Sequence, residues 1–389
     1  MDVINELLGR GVEEVIDRAD LEAALRSGKK LRVKLGIDPT SPNLHIGRAV
    51  VLWKLRAFQE LGHKVVFIVG DFTGLIGDTS DKDAERPMLA KEQIKQNIKT
   101  YFAQAGKIID AKKAELHYNS MWLKKLGFLE VGELADLFGL HEMEARENIS
   151  RRLKAGKRVS LRELLYPLMQ GYDSVAVKAD LELGGTDQRF NLLAGRAIQP
   201  KYGQKPQNIL TMQLMEGTDG RKMSSSWGNV INVTDEPNEM FGKVMSITDG
   251  LIKKYFVLAT RLPIVGIDRI IADNFNPRDQ KLILAEEITK LYHGGKKAVL
   301  AKAAFISQFS RGELPSDIPE YRIAAGSYAT AELLVNAGLA ASKSEARRLM
   351  EQNGVKINQQ TYKEKTIRIA ESELVIQAGK RKFVRVIKK

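Results

Sequence analysis

The chain has no cysteine among its 389 residues. That absence excludes disulfides, thiolate-bound zinc and any thiol nucleophile. Histidine is scarce, five in all, and the five lack H-x-x-x-H spacing, which argues against a transition-metal site. No apolar run approaches the roughly 20 residues of a membrane-spanning helix. The opening M-D-V-I-N-E-L-L-G-R has no basic region followed by an apolar one, so no secretory leader is expected. These absences predict a soluble, cytoplasmic protein with no membrane partner and no tightly bound metal. At about 150 residues per domain, two or three domains are expected.

Positive charge is what the chain has in excess. The formal net charge is +13, which favours a polyanionic partner. Residues Ser327 to Lys389 hold 13 Lys and Arg against 6 Asp and Glu, a surplus of seven and so more than half the total.

The most informative stretch is Leu31 to Arg48. Leu31 to Ile37 reads as a short buried strand. Asp38-Pro39-Thr40-Ser41-Pro42-Asn43 is a turn, because two prolines and an asparagine cannot continue a ladder. Ile46, Val50, Trp53, Ala57 and Leu61 then recur at helical spacing, with Gly62 as a stop. Val65 to Val69 is a second buried run. Strand, helix and strand make a βαβ unit, whose ligands bind where strands end and helices begin. His45 and Gly47 lie on that edge. The helix N-terminus there suits a phosphate, and glycine at 47 lets a flat base approach the backbone. Taken alone, the same residues also read as ordinary turn chemistry.

Further along, Val69 to Asp78 is a glycine-rich connection. Asp81 to Pro87 reads as a charged loop, Lys91 to Ala105 as a helix, Glu130 to Arg151 as helical, and Arg151 to Arg158 as a basic loop. Leu161 to Asp173 is a helix whose Leu161, Leu164, Leu165 and Leu168 make an apolar face. Tyr166, Gln170 and Asp173 share another side at i, i+4 and i+7. Pro167 inside that run predicts a kink or a late start. Val175 to Leu183 alternates as a strand, followed by Gly184-Gly185-Thr186-Asp187-Gln188 and a helix from Arg189 to Ile198. Asn208 to Met215 is a last strand, and Glu216 to Asn229 a polar loop. Thr234 to about Ser310 is all helical, and Arg311 to Arg322 is a linker. Ser342-Lys343-Ser344-Glu345 has the capping-box pattern, opening a helix through Arg347, Arg348 and Met350. Gly354 to Asn358 then turns into short strands.

His45-Ile46-Gly47-Arg48 resembles the HIGH signature of class I aminoacyl-tRNA synthetases. Lys222-Met223-Ser224-Ser225-Ser226, far downstream, resembles their KMSKS signature. The residues between resemble the tyrosyl-tRNA synthetases in particular. The resemblance implies an α/β fold with three parts. A Rossmann-like parallel-sheet catalytic domain would span 1–232, an all-helical anticodon-binding domain 233–318, and a small α+β RNA-binding domain, like one in a ribosomal protein, 327–389. It implies ATP with Mg²⁺, tyrosine and tRNA(Tyr) as partners, and a homodimer.

Site roles follow from the same resemblance. Thr40 and His45, with Arg48, would meet the β/γ-phosphates from one side, and Lys222, Ser224 and Ser226 from the other. Asp38, Gly47, Gly185, Asp187 and Met223 would line the nucleotide, with Gly185 against the ribose. Asp78, Tyr166 and Gln170 would take the ammonium group of tyrosine, and Asp173 its hydroxyl. Thr73, Gln188 and Lys34 complete the tyrosine set. Lys343, Arg347, Arg348 and Lys356 would track RNA phosphates. A buried carboxylate bonded to a phenol is left unpaired by phenylalanine, and an enzyme of this family is the known example of that discrimination.

Three residues depart from the pattern. Arg48 stands where the first signature ends in His, and Ser225 where the second has another Lys. Lys34 occupies a strand position where many tyrosyl enzymes carry a Tyr, and the alternative readings are that it pairs with an acid or that it lies outside the pocket. The rival functions are the tryptophanyl relative and a catalytically silent RNA-binding paralogue.

Overall fold

A computed structural model describes residues 2–80, 88–310, 318–358, 360–369, 373–379 and 382–388. The expected loop at Asp81 to Pro87 lies outside them. The chain divides into two compact units, Met1–Ala301 and Lys302–Lys389, with the division falling inside the helix Gly295–Ser310.

The first unit is built on a six-stranded sheet. Its strands are β1 (Val12–Ile16), β2 (Arg32–Ile37), β3 (Lys64–Val69), β4 (Glu115–Tyr118), β5 (Leu181–Gly185) and β6 (Asn208–Met212). Their order is β1-β6-β5-β2-β3-β4, parallel throughout except for β1, which pairs antiparallel with β6. The central strands are largely buried, as a sheet covered by helices on both sides requires, with Lys34 on β2 and Glu182 on β5 as the charged exceptions inside them. The chain leaves β2 toward β3 and later crosses back to β5, so the topological switch lies between β2 and β5. Ligands bind at the carboxyl ends of such strands. By sequence, residues 1–30 suggest an amphipathic helix or two leading into the first strand; Val3–Gly9 and Arg18–Arg26 are helical, and the strand Val12–Ile16 between them was not anticipated.

Two readings of the middle region are corrected. The helix Leu161–Val177 runs four residues past Asp173, so the strand expected from Val175 begins only at Leu181. Alternation at 175–177 is the buried side of the helix end. The helix also starts on time despite Pro167. Ser160 caps it, and Glu163 returns a carboxylate oxygen to the Ser160 N–H at 3.1 Å. The Glu163 carbonyl that Pro167 cannot serve accepts from Arg146 Nη1 at 3.5 Å. Leu161 and Leu165, expected in the apolar face, are exposed, whereas Leu168 is buried.

The basic loop expected at 151–158 is in its first half a helix, Glu147–Lys154. Arg152 is buried there, its guanidinium held by both carboxylate oxygens of Glu163. A charge run in sequence thus hides a structural ion pair.

The helices between Pro237 and Ser310 belong by their contacts to the same unit as the sheet up to Ala301. Arg10 helps explain why. It donates to the carbonyls of Phe256, Val257, Thr260 and Leu262 at 2.7–3.3 Å, capping the C-terminal end of the helix Ile252–Ala259.

The second unit contains β7 (Glu320–Ile323), β8 (Gly326–Ala329), β9 (Val355–Ile357), β10 (Gln360–Thr361), β11 (Thr366–Ile369), β12 (Glu373–Ala378) and β13 (Lys382–Lys388). One sheet has the order β10-β9-β12-β13-β7, and β8 pairs with β11. Helices Thr330–Asn336 and Lys343–Glu351 pack on a core of Leu333, Leu334, Ala346, Ile376 and Val386. The linker expected over 311–322 ends in β7, and its first seven residues lie outside those described. Ser342 accepts from the Glu345 N–H, but Glu345 reaches back to the N–H of Ala341 rather than of Ser342. The cap is therefore one residue wider than the box pattern.

Candidate active site

Across the carboxyl ends of β2 and β5 opens a cavity of about 240 Å³. Its lining includes Asp38, Thr40, His45, Gly47 and Arg48 from the first signature, and Lys222, Met223, Ser224, Ser225 and Ser226 from the second. Thr73, Asp78, Tyr166, Gln170, Asp173, Gly185, Asp187 and Gln188 line it too. Residues spread over nearly 190 positions of sequence meet in one cleft.

The two signatures are laced together by backbone. Ile46 N–H donates to the Ile231 carbonyl at 2.8 Å, and Val233 N–H to Leu44 at 2.9 Å. Asn229 organises the second loop. Its amide oxygen takes the Ser224 N–H at 2.9 Å, and its NH₂ donates to Asp219 at 2.7 Å and to the Lys222 carbonyl at 3.1 Å. A Cβ on Gly217 would stand 2.3 Å from the Asn229 carbonyl oxygen, so only glycine fits that crossing. Gly47 is tightly surrounded as well. A Cβ there would sit 3.1 Å from His45 Nδ1 and 3.3 Å from the Met223 sulfur.

At the deep end, Asp173 accepts from Trp122 Nε1 at 2.7 Å and from Asn119 Nδ2 at 3.2 Å. Asp78 accepts from Gln188 Nε2 at 2.7 Å and from Ser80 Oγ at 2.6 Å. Tyr166 donates its hydroxyl to Asp38 at 2.9 Å, and Thr73 to the other oxygen of Asp38 at 2.7 Å. At the mouth, Lys222 Nζ lies 2.8 Å from Asp187. Arg48 donates to Thr40 Oγ1 at 3.0 Å, to the Asp38 carbonyl at 3.3 Å and to the Tyr101 hydroxyl. The cleft thus has an acidic deep end of three carboxylates, Asp38, Asp78 and Asp173, and a mouth where Lys222 and Arg48 meet Asp187 and Thr40.

Residues 26–310 match the class I tRNA synthetases (W and Y), and residues 310–386 match the tyrosine–tRNA ligase SYY-like C-terminal domain. The chain is 47% identical to the tyrosine–tRNA ligase of Cupriavidus pinatubonensis, over 98% of this chain and 94% of the relative. With that of Ralstonia nicotianae the figures are 46%, 98% and 99%. The chain belongs to the tyrosyl-tRNA synthetases, class I. Solved structures at 23% identity share the fold. They include a C-terminally truncated mitochondrial tyrosyl-tRNA synthetase from Coccidioides posadasii (TM-score 0.64, 77% of this chain and 91% of that one). Another is a tyrosyl-tRNA synthetase complexed with L-tyrosine from Archaeoglobus fulgidus (0.62, 77% and 100%).

His45 and Asp173 of this synthetase cleft are displaced from their ordinary ranges, and burial raises the Tyr166 hydroxyl as well. Burial, reinforced by the nearby Arg48 and Lys222 cations, drops His45 to about 3, so its imidazole is neutral at physiological pH. Its Nδ1 accepts from the Arg48 N–H at 3.3 Å, which leaves the proton on Nε2. Burial pushes Asp173 up to about 7, opposed first by the field of Lys34 and then by the Trp122 and Asn119 hydrogen bonds.

Lys34 is placed differently from the expectation that it joins the tyrosine set. It does not line the cavity but lies behind it, fully buried, 2.9 Å from Glu182. The sequence reading also missed Trp122, Asn119 and Tyr101. No local pattern marks them, because each meets the site through partners more than 45 positions away. Lys343, Arg347, Arg348 and Lys356 are exposed on the second unit, with Lys343 paired to Glu332 at 3.0 Å.

Proposed function

We propose that the chain attaches tyrosine to tRNA in two steps. The tyrosine carboxylate attacks the α-phosphorus of ATP in line, forming the tyrosyl-adenylate as the bond to pyrophosphate breaks. A hydroxyl of the 3′-terminal ribose of tRNA then takes the tyrosyl group and AMP leaves. No protein nucleophile or base is needed for the first step, because the attacking carboxylate is already charged. Catalysis is alignment plus stabilisation of charge moving onto the phosphates.

The polarity of the cleft supports this reading. Asp78, Tyr166 and Gln170 suit the ammonium group, the charge-assisted kind of hydrogen bond. Asp187 suits the ribose hydroxyls, and Gly47 with Met223 gives the base a flat seat. Thr40, neutral His45 through Nε2–H, Arg48, Lys222, Ser224 and Ser226 receive the triphosphate. Mg²⁺ arrives with ATP as part of the substrate, held by phosphates and water.

The observation that carries the reading is Asp173. A carboxylate at the closed end of the cavity, already aimed by Trp122 and Asn119, selects a ligand that ends in a hydroxyl. Amino-acid-dependent exchange of labelled pyrophosphate into ATP tests it, with tyrosine, tryptophan and phenylalanine side by side. Exchange with tyrosine alone is expected. Equal exchange with tryptophan, or none with any, would remove the reading.

The finer assignments rest on similar grounds. The chain works in the cytoplasm, where ATP and tRNA are available. It pairs with a second copy through the region from 128 to 165, where Phe128, Leu129, Leu140 and Leu161 are 96%, 77%, 63% and 78% exposed, more apolar surface than a lone chain usually leaves wet. A monomer mass in equilibrium sedimentation would refute that. Arg347, Arg348 and Lys356 meet tRNA phosphates, supported by the basic surplus of the second unit.

A further inference from the structure

Behind the cavity wall lies a charged cluster that none of these steps uses. Lys34 on β2 and Glu182 on β5 face each other across neighbouring strands, and their side chains are 0% and 1% exposed. Lys34 Nζ donates to Glu182 at 2.9 Å, to the Gln170 carbonyl at 2.9 Å and to Ser174 Oγ at 2.8 Å, so all three ammonium hydrogens have acceptors. Glu182 accepts from Gln170 Nε2 at 3.2 Å, from Ser174 Oγ at 3.0 Å and from Gln207 Nε2.

Such a pair is a poor way to stabilise a fold. Taking two charges out of water costs about what their attraction returns, and apolar residues of the same volume often serve as well. What sets this pair apart is its grip on the pocket helix. It holds both ends of Gln170 and the hydroxyl of Ser174, which adjoins Asp173. We propose that the Lys34–Glu182 pair is a positioning device for tyrosine recognition, fixing the Gln170 amide and setting a cation behind Asp173 so that the substrate hydroxyl meets a carboxylate. This rests on the reading of Asp173 as the hydroxyl acceptor.

The surrounding charges explain why a cation is needed. β2 leads into Asp38, β5 carries Glu182, and Asp71 and Asp78 flank the helix Thr73–Ile76, all negative. Trp122, Asn119 and Tyr166 are neutral. The helix Arg189–Ile198, packed along the pocket helix, has Arg189 and Arg196 engaged by Glu14 and Asp17. The helix Phe128–Ala135 adds Glu130 and Glu133, the latter paired with Lys201. Lys34 therefore supplies the positive field at the closed end. Its effect on Asp173 exceeds the opposing effect of Glu182.

The test is the pH profile of kcat/KM for tyrosine in pyrophosphate exchange, measured on the full chain. Glu182→Gln keeps the side-chain volume while removing the anion, so the acid limb is expected at lower pH than in the unaltered chain. Lys34→Met with Glu182→Gln leaves no buried unpaired charge and removes the stronger influence, so the limb is expected at higher pH. Below the limb, kcat/KM changes about tenfold for each pH unit of displacement. The KM for ATP is expected to stay within about twofold in both. Lys34→Arg, which keeps the cation, is expected to retain the original limb. Opposite displacements support the proposal. A limb that stays in place in both variants overturns it, as do equal losses in the tyrosine and ATP parameters, which would mark the pair as structural only. Tyrosine-dependent exchange by the unaltered chain is the control on the underlying reading, so the two failures are distinguishable.

Discussion

Replacing Arg48 with alanine removes a guanidinium that donates to Thr40 Oγ1, to the Asp38 carbonyl and to the Tyr101 hydroxyl. Lys222, which also lines the cleft, lies 2.8 Å from Asp187. Position 225, where the family signature has a second lysine, is serine, and its hydroxyl lies 3.3 Å from that of Ser41. Ser41 adjoins Thr40, which Arg48 holds. The two positions thus converge on one turn, so in the proposed reaction a cation from either would face the same phosphates. A hydrogen bond to a charged group contributes about 1.5–3 kcal/mol, and loss of one transition-state donor typically costs about 10²–10³ in kcat. Arg48→Ala is therefore expected to lower kcat for pyrophosphate exchange by about 10²–10³, with the KM for tyrosine changed less than about threefold. Adding Ser225→Lys to Arg48→Ala is expected to recover at least about tenfold, one charge-assisted contact being enough. Unchanged exchange in the single variant would refute the reasoning. So would a loss carried entirely by the tyrosine KM, because Arg48 would then only be propping the Asp38 turn. Failure of lysine at 225 to restore any activity would refute the interchange of the two positions.

Other expectations follow from the same geometry. Asp173→Asn should raise the tyrosine KM by about 10²-fold, the scale of one charged hydrogen bond, while leaving the ATP KM nearly unchanged, as read by exchange kinetics. Because the folded-state value of Asp173 lies above its ordinary 3.8, near 7, its contribution to stability is full below pH 4 and is lost as pH rises to about 7. The loss amounts to at most about 4 kcal/mol. Denaturant titrations of the unliganded protein should fall over that window, and Asp173→Asn should flatten the fall. His45, held neutral to about 3, should contribute no limb to kcat between pH 5 and 8. A limb abolished by His45→Asn in that range would contradict the assignment. Reversing charge with Arg347→Glu and Arg348→Glu should leave exchange intact and raise the tRNA KM in aminoacylation at least about tenfold, more at low salt than at high.

The sheet and the cleft were legible for different reasons. β2, the helix after it and β3 could be read because each has an unambiguous period bounded by turn residues. Tyr166, Gln170 and Asp173 could be placed on one side because helical spacing is rigid. The failures have physical causes as well. β1 is a short edge strand with a charged, half-exposed pattern that resembles an amphipathic helix. Val175 to Val177 alternates because both valines are buried and Ala176 is exposed at the helix end, which mimics the period of a strand. Arg152 and Lys34 look like surface charges until a glutamate from another element meets them. Trp122 and Asn119 carry no motif, and only the fold brings them to Asp173.

Arg10 has one more implication. The helix Ile252–Ala259 that it caps also sends the Tyr255 hydroxyl to the Glu216 carbonyl at 2.6 Å and Lys254 to the Glu216 carboxylate at 2.8 Å. Glu216 in turn forms a β-bridge with Lys222. One helix is therefore tied at one end to Arg10 and along its side to Glu216. The loop that carries Lys222 thus stands only two contacts away from the helices beyond Pro237.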